Sequence, residues 1–473
     1  MLDDKLHEEC GVFGILGHRD AANLVYLGLY ALQHRGQESA GIASVNEAGR
    51  IVSEKEMGYV ADVFTEERLS RLPGEIAIGH VRYSTAGGSM LCNAQPIVAS
   101  TSKGPIAVAH NGNLVNGDEL RRQLENEGAI FNSMSDTEVL VHLIARSKAR
   151  DVEGALLDAL AQVKGAYAIA LLTPTRIFAA RDPYGFRPLV LGRLDDAIAV
   201  SSETCAFDLI DAETIREIHA GEVVALERGE IRVVRDARAE REARCIFEHV
   251  YFARPDSVVF GSNVAEVRKR FGAQLAREHP VDADIVVPVP DSGVFAATGY
   301  AQESGIPFQF GLVRNHYVGR TFIEPEQGIR HFGVKVKLNP VRELIAGKRI
   351  VLIDDSIVRG TTSKKIVRML KDSGAAEVHM RISSPPTAWP CYYGIDTPER
   401  AHLIGAAQTP DQIRAFIEAD SLGYLSVDGM LEGVRNGDDP RQLYCSACFT
   451  GQYPVRSEAQ SPRHDEAVPL SAR

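Results

Sequence analysis

Three groups of residues in this chain have types and spacings suited to chemistry. In the first, the apolar run Ile350-Val351-Leu352-Ile353 stops at two adjacent carboxylates, Asp354 and Asp355, and the turn Ser356-Ile357-Val358-Arg359-Gly360-Thr361-Thr362-Ser363 follows. Backbone N–H groups around Gly360, Thr361 and Thr362 at a helix start cradle an anion, and the hydroxyls add donors for a phosphate. Asp354 and Asp355 suit other partners: sugar hydroxyls that donate to them, or a Mg²⁺ bridging hydroxyls and a diphosphate. The second group is scattered upstream, with Cys10 heading Cys10-Gly11-Val12-Phe13-Gly14, Arg82 closing Gly79-His80-Val81-Arg82, then His110-Asn111-Gly112-Asn113 and Ser135-Asp136-Thr137-Glu138. The third is four thiols, Cys245, Cys391 and the C-x-x-C pair Cys445/Cys448.

The elements that must position these groups fall into two halves. Residues 350–354 read as a buried strand, and Lys364–Leu370 as one face of a helix ending near Gly374, so the carboxylates and the turn lie beyond a strand's carboxyl end, where open α/β sheets bind ligands. Asp284–Pro290 is a second buried-type strand, and helical segments between such strands imply a parallel sheet. Upstream, short apolar strands around 40–45, 76–82, 106–109, 167–172 and 197–200 alternate with helices from Asp20 to about Gln33 and near 118–127 and 136–146, in no strict βαβ order. That order suggests a layered α+β domain. The charge-dense stretch from Glu227 to Arg244 marks the boundary, giving domains at 10–240 and 241–453. The polar tail 454–473 is expected to be disordered.

Cys10 is suited to nucleophilic work if residues 1–9 are removed as a propeptide, because its own α-amine, with a reference pKa of about 7.7–8.0, then serves as general base. Taken alone, it also reads as a small apolar residue at a strand edge. Arg82 offers a fork for a carboxylate. Asn-Gly at 111–112 is both a hairpin signal and a pair of donors for an oxyanion. Ser135-Asp136-Thr137-Glu138 has the pattern of a capping box, while Asp136 can equally face an ammonium. Nucleophile, carboxylate clamp, oxyanion donors and amine clamp together fit glutamine. For the thiols, the C-x-x-C pair by itself reads as a zinc half-site or a redox pair.

The stretch at 350–363 resembles the phosphoribosylpyrophosphate (PRPP) motif of type I phosphoribosyltransferases. Cys10–Gly14, Gln33-His34-Arg35-Gly36-Gln37-Glu38-Ser39-Ala40-Gly41-Ile42, Gly79–Thr85 and His110–Gly112 resemble the N-terminal-nucleophile glutamine amidotransferase domain. Together, from Cys10 to about Pro454, the chain is similar to the amidophosphoribosyltransferase family. The resemblance implies a four-layer αββα glutaminase domain followed by a type I phosphoribosyltransferase α/β domain. It implies an enzyme that converts PRPP, glutamine and water to 5-phosphoribosylamine, glutamate and diphosphate, the first step of de novo purine synthesis. Cys10 would be the nucleophile, Asn111 and Gly112 the oxyanion donors, and Arg82, Thr85 and Asp136 the glutamine clamp. Asp354, Asp355, Arg359, Gly360, Thr361 and Thr362 would bind PRPP, with Ser292, in Pro290-Asp291-Ser292-Gly293, joining the two aspartates around Mg²⁺. Arg320, in Tyr317–Ile323, would sit in a loop closing over PRPP. Cys245, Cys391, Cys445 and Cys448 match the branch that carries a [4Fe–4S] cluster. Cys92 and Cys205 are left as ordinary buried thiols. The resemblance further implies a homotetramer and feedback inhibition by AMP and GMP.

The bulk composition agrees with that reading. A chain of 473 residues suggests two or three domains. With 52 basic against 63 acidic side chains the net charge is −11, which argues against general nucleic-acid binding. No apolar run reaches the ~18 residues of a membrane span, residues 1–9 have no apolar core, and seven widely spaced cysteines suit a reducing compartment, so a cytoplasmic enzyme is expected. Three rival readings lack what they would require. A glucosamine-6-phosphate synthase type needs sugar isomerase domains in place of the PRPP motif. A PRPP-sensing regulator needs a basic DNA-binding segment. A metal-held scaffold leaves Arg82 and Asp136 without a purpose.

Overall fold

The computed structural model describes residues 10–83, 90–236, 241–315, 338–437 and 439–455. Its first half is two antiparallel sheets packed face to face, one of seven strands and one of six. The strand Gly11–Leu16 lies inside the first sheet, between Ala197–Ser201 and Ile76–Arg82. Its side chains alternate as a pleated strand requires: Val12 and Leu16 face the second sheet, while Phe13 and Ile15 face the opposite way. Alanines at 107, 109, 168, 170 and 179 dominate the facing side of the second sheet, and their small volume sets a thin, dry layer between the sheets.

Helix Ala21–Ala31 covers the outer face of the first sheet through Val25 and Leu29, packed with Phe13 and Phe207. Helices Gly117–Asn126, Asp136–Arg146 and Val152–Leu160 cover the outer face of the second. Because both sheets are sandwiched, inner strands such as Gly11–Leu16, Gly165–Leu172 and Ala197–Ser201 are buried on both faces, which is why they read as continuous apolar runs. The layer order is αββα.

The second half holds a four-stranded parallel sheet in the order Ile285–Pro288, Arg349–Asp354, Glu377–Ile382, Ser421–Tyr424. Val286, Val351 and Ile353 point to helices Val264–Glu278 and Val294–Ser304, and Ile285, Val287, Ile350 and Leu352 to helices Thr361–Asp372 and Pro410–Ile417. The chain enters this half through Arg244-Cys245, which pairs in parallel with Tyr444-Cys445 near its far end.

Several local expectations fail for identifiable reasons. The strand anticipated at 106–109 runs from Gly104 to Leu114, so Asn111 and Gly112 sit within it opposite Ala168 and Tyr167, and the hairpin reading of Asn-Gly is wrong. Asp20 precedes its helix without a side-chain cap bond, and the helix stops at Ala31. The charge-dense boundary contains the edge strand Glu230–Asp236, where Glu230 and Asp236 are exposed and Arg232 is paired with Glu153 and Glu227. Val455, assigned to the disordered tail, accepts through its carbonyl from the Tyr393 hydroxyl at 2.6 Å. Cys92 is exposed rather than buried.

Candidate active site

Strand pairing of Gly11 with Val81 brings Cys10 beside the end of Ile76–Arg82, where its thiol reaches the Tyr83 carbonyl at 3.7 Å. Cys10 is buried, and burial pushes its thiol up from the ordinary range; the Tyr83 contact, Arg82 and Arg35 act against the rise and Asp136 adds to it. A thiol so placed stays protonated until a base takes its proton, consistent with a need for the α-amine that removal of 1–9 would expose.

Arg82 donates to Glu38 at 3.0 Å in a nearly buried pair. Asn111 is buried on the second sheet, and its side-chain nitrogen has no hydrogen-bond partner among the described residues. An orphaned buried donor costs about 1–3 kcal/mol, so an amide kept in that condition is suited to an acceptor that arrives with a ligand.

Asp136 begins its helix and accepts from the Leu114 N–H at 2.8 Å, with His110 Nδ1 3.7 Å away. Burial works against its ionisation, but His110 and the Leu114 and Thr137 N–H groups outweigh it, and the carboxyl sits below its usual range. A buried anion there has the charge to face an ammonium. The capping box does not form: Ser135 accepts from the Thr137 N–H, and Glu138 turns back to the N–H groups of Asn132 and Ser133. The two sheets are tied at this end by a 3.0 Å contact of His80 Nε2 with the His110 carbonyl. Thr85 lies outside the described residues.

In the second half, Asp354 ends the strand Arg349–Asp354, Asp355 follows it, and each is 1% exposed. Ser292 Oγ donates to Asp354 at 3.1 Å, as does the Asp355 N–H at 2.9 Å, while Ser356 Oγ donates to Asp355 at 2.6 Å. Helix Thr361–Asp372 starts directly after Gly360, whose φ of +80° is the left-handed turn that only glycine adopts cheaply. Arg359 and Thr361 are exposed, so the helix N-terminus opens to solvent next to two buried acids. Arg320 and the rest of 317–323 lie outside the described residues.

Cys245 and Cys445 are cross-strand partners, and Cys448 follows in the next turn. Burial raises the thiols of Cys245 and Cys445 to about 12, and Cys448 feels Cys245, Cys445 and Cys391 as like charges. All seven cysteines are free, and among the described residues no group of three or more His, Cys, Asp or Glu stands ready to hold a metal ion. Three buried thiols and the half-buried Cys391, in one another's electrostatic reach and with Arg187 acting on Cys245 and Cys445, nevertheless have the donor chemistry of a sulfur-ligated centre.

Comparison with known proteins decides the family. A glutamine amidotransferase domain matches residues 80–208 and a phosphoribosyl transferase domain residues 262–383. Amidophosphoribosyltransferase 2, chloroplastic, of Arabidopsis thaliana is 54% identical over 455 residues, covering 96% of this chain and 81% of its own. The amidophosphoribosyltransferase of Bacillus subtilis is 48% identical over 98% of both chains. The chain belongs to the amidophosphoribosyltransferase family. A solved structure of the B. subtilis glutamine PRPP amidotransferase complexed with ADP and GMP superposes with a TM-score of 0.89, at 48% identity and covering 94% of this chain and 97% of that one. A second, described as the allosteric regulatory enzyme of purine biosynthesis, gives 0.90 at 47% identity over 98% and 100%. Membership of this family confirms the expected pairing of a glutaminase fold with a type I phosphoribosyltransferase fold.

In the sequence Arg35 and Glu38 are marked only as members of the Gln33–Ile42 motif, and Glu203 and Glu248 carry no signal of their own. Arg35 Nε donates to the Cys10 carbonyl at 3.2 Å, and its fork is held by Glu203 and Glu248 with no solvent exposure on any of the three. Arginine between two acids is a signal only once residues 35, 203 and 248 are known to be neighbours.

Proposed function

We propose the residue roles by which this enzyme turns glutamine, PRPP and water into 5-phosphoribosylamine, glutamate and diphosphate, the first step of de novo purine biosynthesis. Residues 1–9 are assigned as a propeptide, 10–240 as the glutaminase, 241–453 as the transferase and 454–473 as a tail. Glutamine is held by Arg82 and Thr85 at its carboxylate and by Asp136 at its ammonium. The Cys10 α-amine takes the thiol proton, sulfur attacks the side-chain amide carbon, and Asn111 Nδ2 with the Gly112 N–H stabilises the oxyanion. Collapse expels ammonia and leaves a thioester, which water cleaves to glutamate and the thiol. The buried Asn111 amide, whose nitrogen has no hydrogen-bond partner among the described residues, is the observation that most supports this half.

In the transferase half, the N–H groups of Gly360, Thr361 and Thr362, with Arg359, take the 5-phosphate, and Asp354 and Asp355 take ribose hydroxyls. Mg²⁺, near Ser292, Asp354 and Asp355, would neutralise the departing diphosphate. Two carboxylates with a hydroxyl suit Mg²⁺, which keeps waters and substrate oxygens as its other ligands. Ammonia adds at the ribose C1 as diphosphate leaves. Because ammonia is nucleophilic only when neutral, transfer must avoid bulk water, and Arg320 is assigned to the loop that closes the transferase site.

Cys245, Cys391, Cys445 and Cys448 are assigned to a [4Fe–4S] cluster that holds the transferase chain ends together. Seven free thiols support a reducing, cytoplasmic setting, and no helix among the described residues is long and apolar enough to cross a membrane. The ADP and GMP bound in the B. subtilis relative support regulation by purine nucleotides, assigned here as feedback inhibition by AMP and GMP, and a homotetramer is the assigned assembly.

The test supplies glutamine, PRPP and Mg²⁺ to protein trimmed to Cys10 and prepared without oxygen. Glutamate and diphosphate should appear in equal amounts; glutamate alone would reduce the protein to a glutaminase. Iron and sulfide analysis of the same preparation tests the cluster.

A further inference from the structure

The walls of the glutaminase site are not all built by the glutaminase half. Arg35 holds the Cys10 carbonyl, and its guanidinium is held in a two-pronged grip by Glu248, with Nη1 donating to Oε2 at 3.0 Å and Nη2 to Oε1 at 2.8 Å. Glu248 lies beyond the Arg244-Cys245 strand, in the transferase half, 213 residues away in sequence. Glu203 completes the grip on Arg35 at 2.5 Å and itself accepts from the Arg254 N–H at 2.9 Å and from Ser257 Oγ at 2.7 Å, again across the boundary.

A second contact reaches the oxyanion side. Asn113 Nδ2 donates to the Tyr392 carbonyl at 3.0 Å, and both Arg187 Nε and Nη2 donate to the Tyr393 carbonyl, at 3.1 and 2.6 Å. The Tyr393 ring stacks on Phe186 with centroids 4.2 Å apart. Gly394, held at φ +109°, backs directly onto Gly112, and a methyl group there would stand 3.0–3.2 Å from the Gly112 carbonyl carbon, Cα and oxygen. Only glycine permits both that backbone angle and that approach.

We propose that Glu248 and Gly394 are positioning residues of the glutamine half-reaction, supplied by the transferase half: one fixes Cys10 through Arg35, the other fixes Gly112 from behind. The inference rests on the assignment of Cys10 and Gly112 above. Arg35, Arg187, Glu203 and Glu248 are two cations and two anions with no solvent-exposed side chain, so their charges balance only when the halves are docked. A buried pair that loses one partner leaves an uncompensated charge, which makes the arrangement nearly all-or-none. Glutamine hydrolysis therefore depends on the docked transferase half. Amination of PRPP by ammonia supplied from solution uses neither Cys10 nor Gly112 and is independent of both contacts.

The test uses the full, trimmed chain as wild type, Glu248→Gln and Gly394→Ala. Each is assayed for diphosphate release with glutamine and, separately, with an ammonium salt at alkaline pH. The expected result is a fall of about ten- to a hundredfold in kcat with glutamine, the scale of small displacements of reacting groups, with KM for glutamine changed less than about threefold and the ammonia-supported rate unchanged. Loss of both rates together, loss of neither, or a raised KM with unchanged kcat would overturn the proposal. Gly394→Ala changes no charge, so it reads the same contrast if Glu248→Gln does not fold. Wild-type protein inactive with glutamine but active with ammonia would count instead against the roles given to Cys10 and Gly112.

Discussion

The nucleophile pocket and the phosphate loop solve opposite problems. Around Cys10, the fixing charges are fully enclosed, with Arg35, Glu203 and Glu248 at 0% side-chain exposure. Around Gly360, the acids are buried but the cradle is open, and the nearby Arg314–Asp291 pair is 54% and 59% exposed. On the roles proposed, the first pocket holds a thiol, an oxyanion donor and an ammonium clamp in one geometry, which favours dry ion pairs that cannot relax. The second must admit a highly charged sugar phosphate and release diphosphate, and a solvated cradle keeps that exchange possible. Enclosed charges are thus sensitive to the loss of a partner, whereas exposed ones are screened.

The sharpest way to break this comparison is Cys10→Ala. It should reduce glutamine-dependent turnover by roughly 10⁴-fold or more, as loss of a covalent nucleophile does, while leaving ammonia-dependent diphosphate release intact. Parallel loss of both would mean that the two pockets are not separable. Asp354→Asn or Asp355→Asn should act the other way, raising the dissociation constant for PRPP by about ten- to a hundredfold, the worth of one or two charge-assisted hydrogen bonds, with glutamine affinity unchanged. Calorimetry with each ligand decides it.

A smaller effect separates the two regions by pH. His80, behind Asn111, and His249, beside Tyr444 at the junction, are enclosed, and burial lowers each to about 3, assisted by Arg82 at His80 and by Arg268 at His249. Their folded values lie below the unfolded value of about 6.5, so the unfolded chain takes up the proton first. Stability from these groups is therefore complete above about pH 6.5 and falls toward pH 3, by roughly 1.4 kcal/mol per pH unit for each histidine. Urea unfolding across that window should show the slope; a flat profile would mean that these rings are hydrated. The smallest change is expected at the open site, where Arg314→Ala should shift unfolding stability by less than about 1 kcal/mol because its ion pair is solvated. A larger loss would show that the loop is more enclosed than the cradle around it.

Periodicity exposed what is local. The strand at 76–82, the helix at 136–146 and the strand–turn–helix at 350–372 were legible because each carries its own signal: an apolar run, a serine at a helix start, a glycine before two threonines. Local signals also misled. Asn111-Gly112 has the chemistry of a turn, but pairing with Ala168 and Tyr167 on a neighbouring strand kept the chain extended. Ser135 and Glu138 have the spacing of a capping box, but Glu138 found better donors in Asn132 and Ser133.

The two proposed half-sites could be picked out from the chain alone, because the residues proposed as nucleophile, clamp and phosphate turn are each short patterns whose chemistry does not depend on distant partners. How the halves share a wall emerges from the fold. Arg35 with Glu248, and Gly112 with Gly394, are joined by no spacing or periodicity; burial in a common interior makes them partners, and a charge with no access to water must find its opposite wherever the fold supplies it.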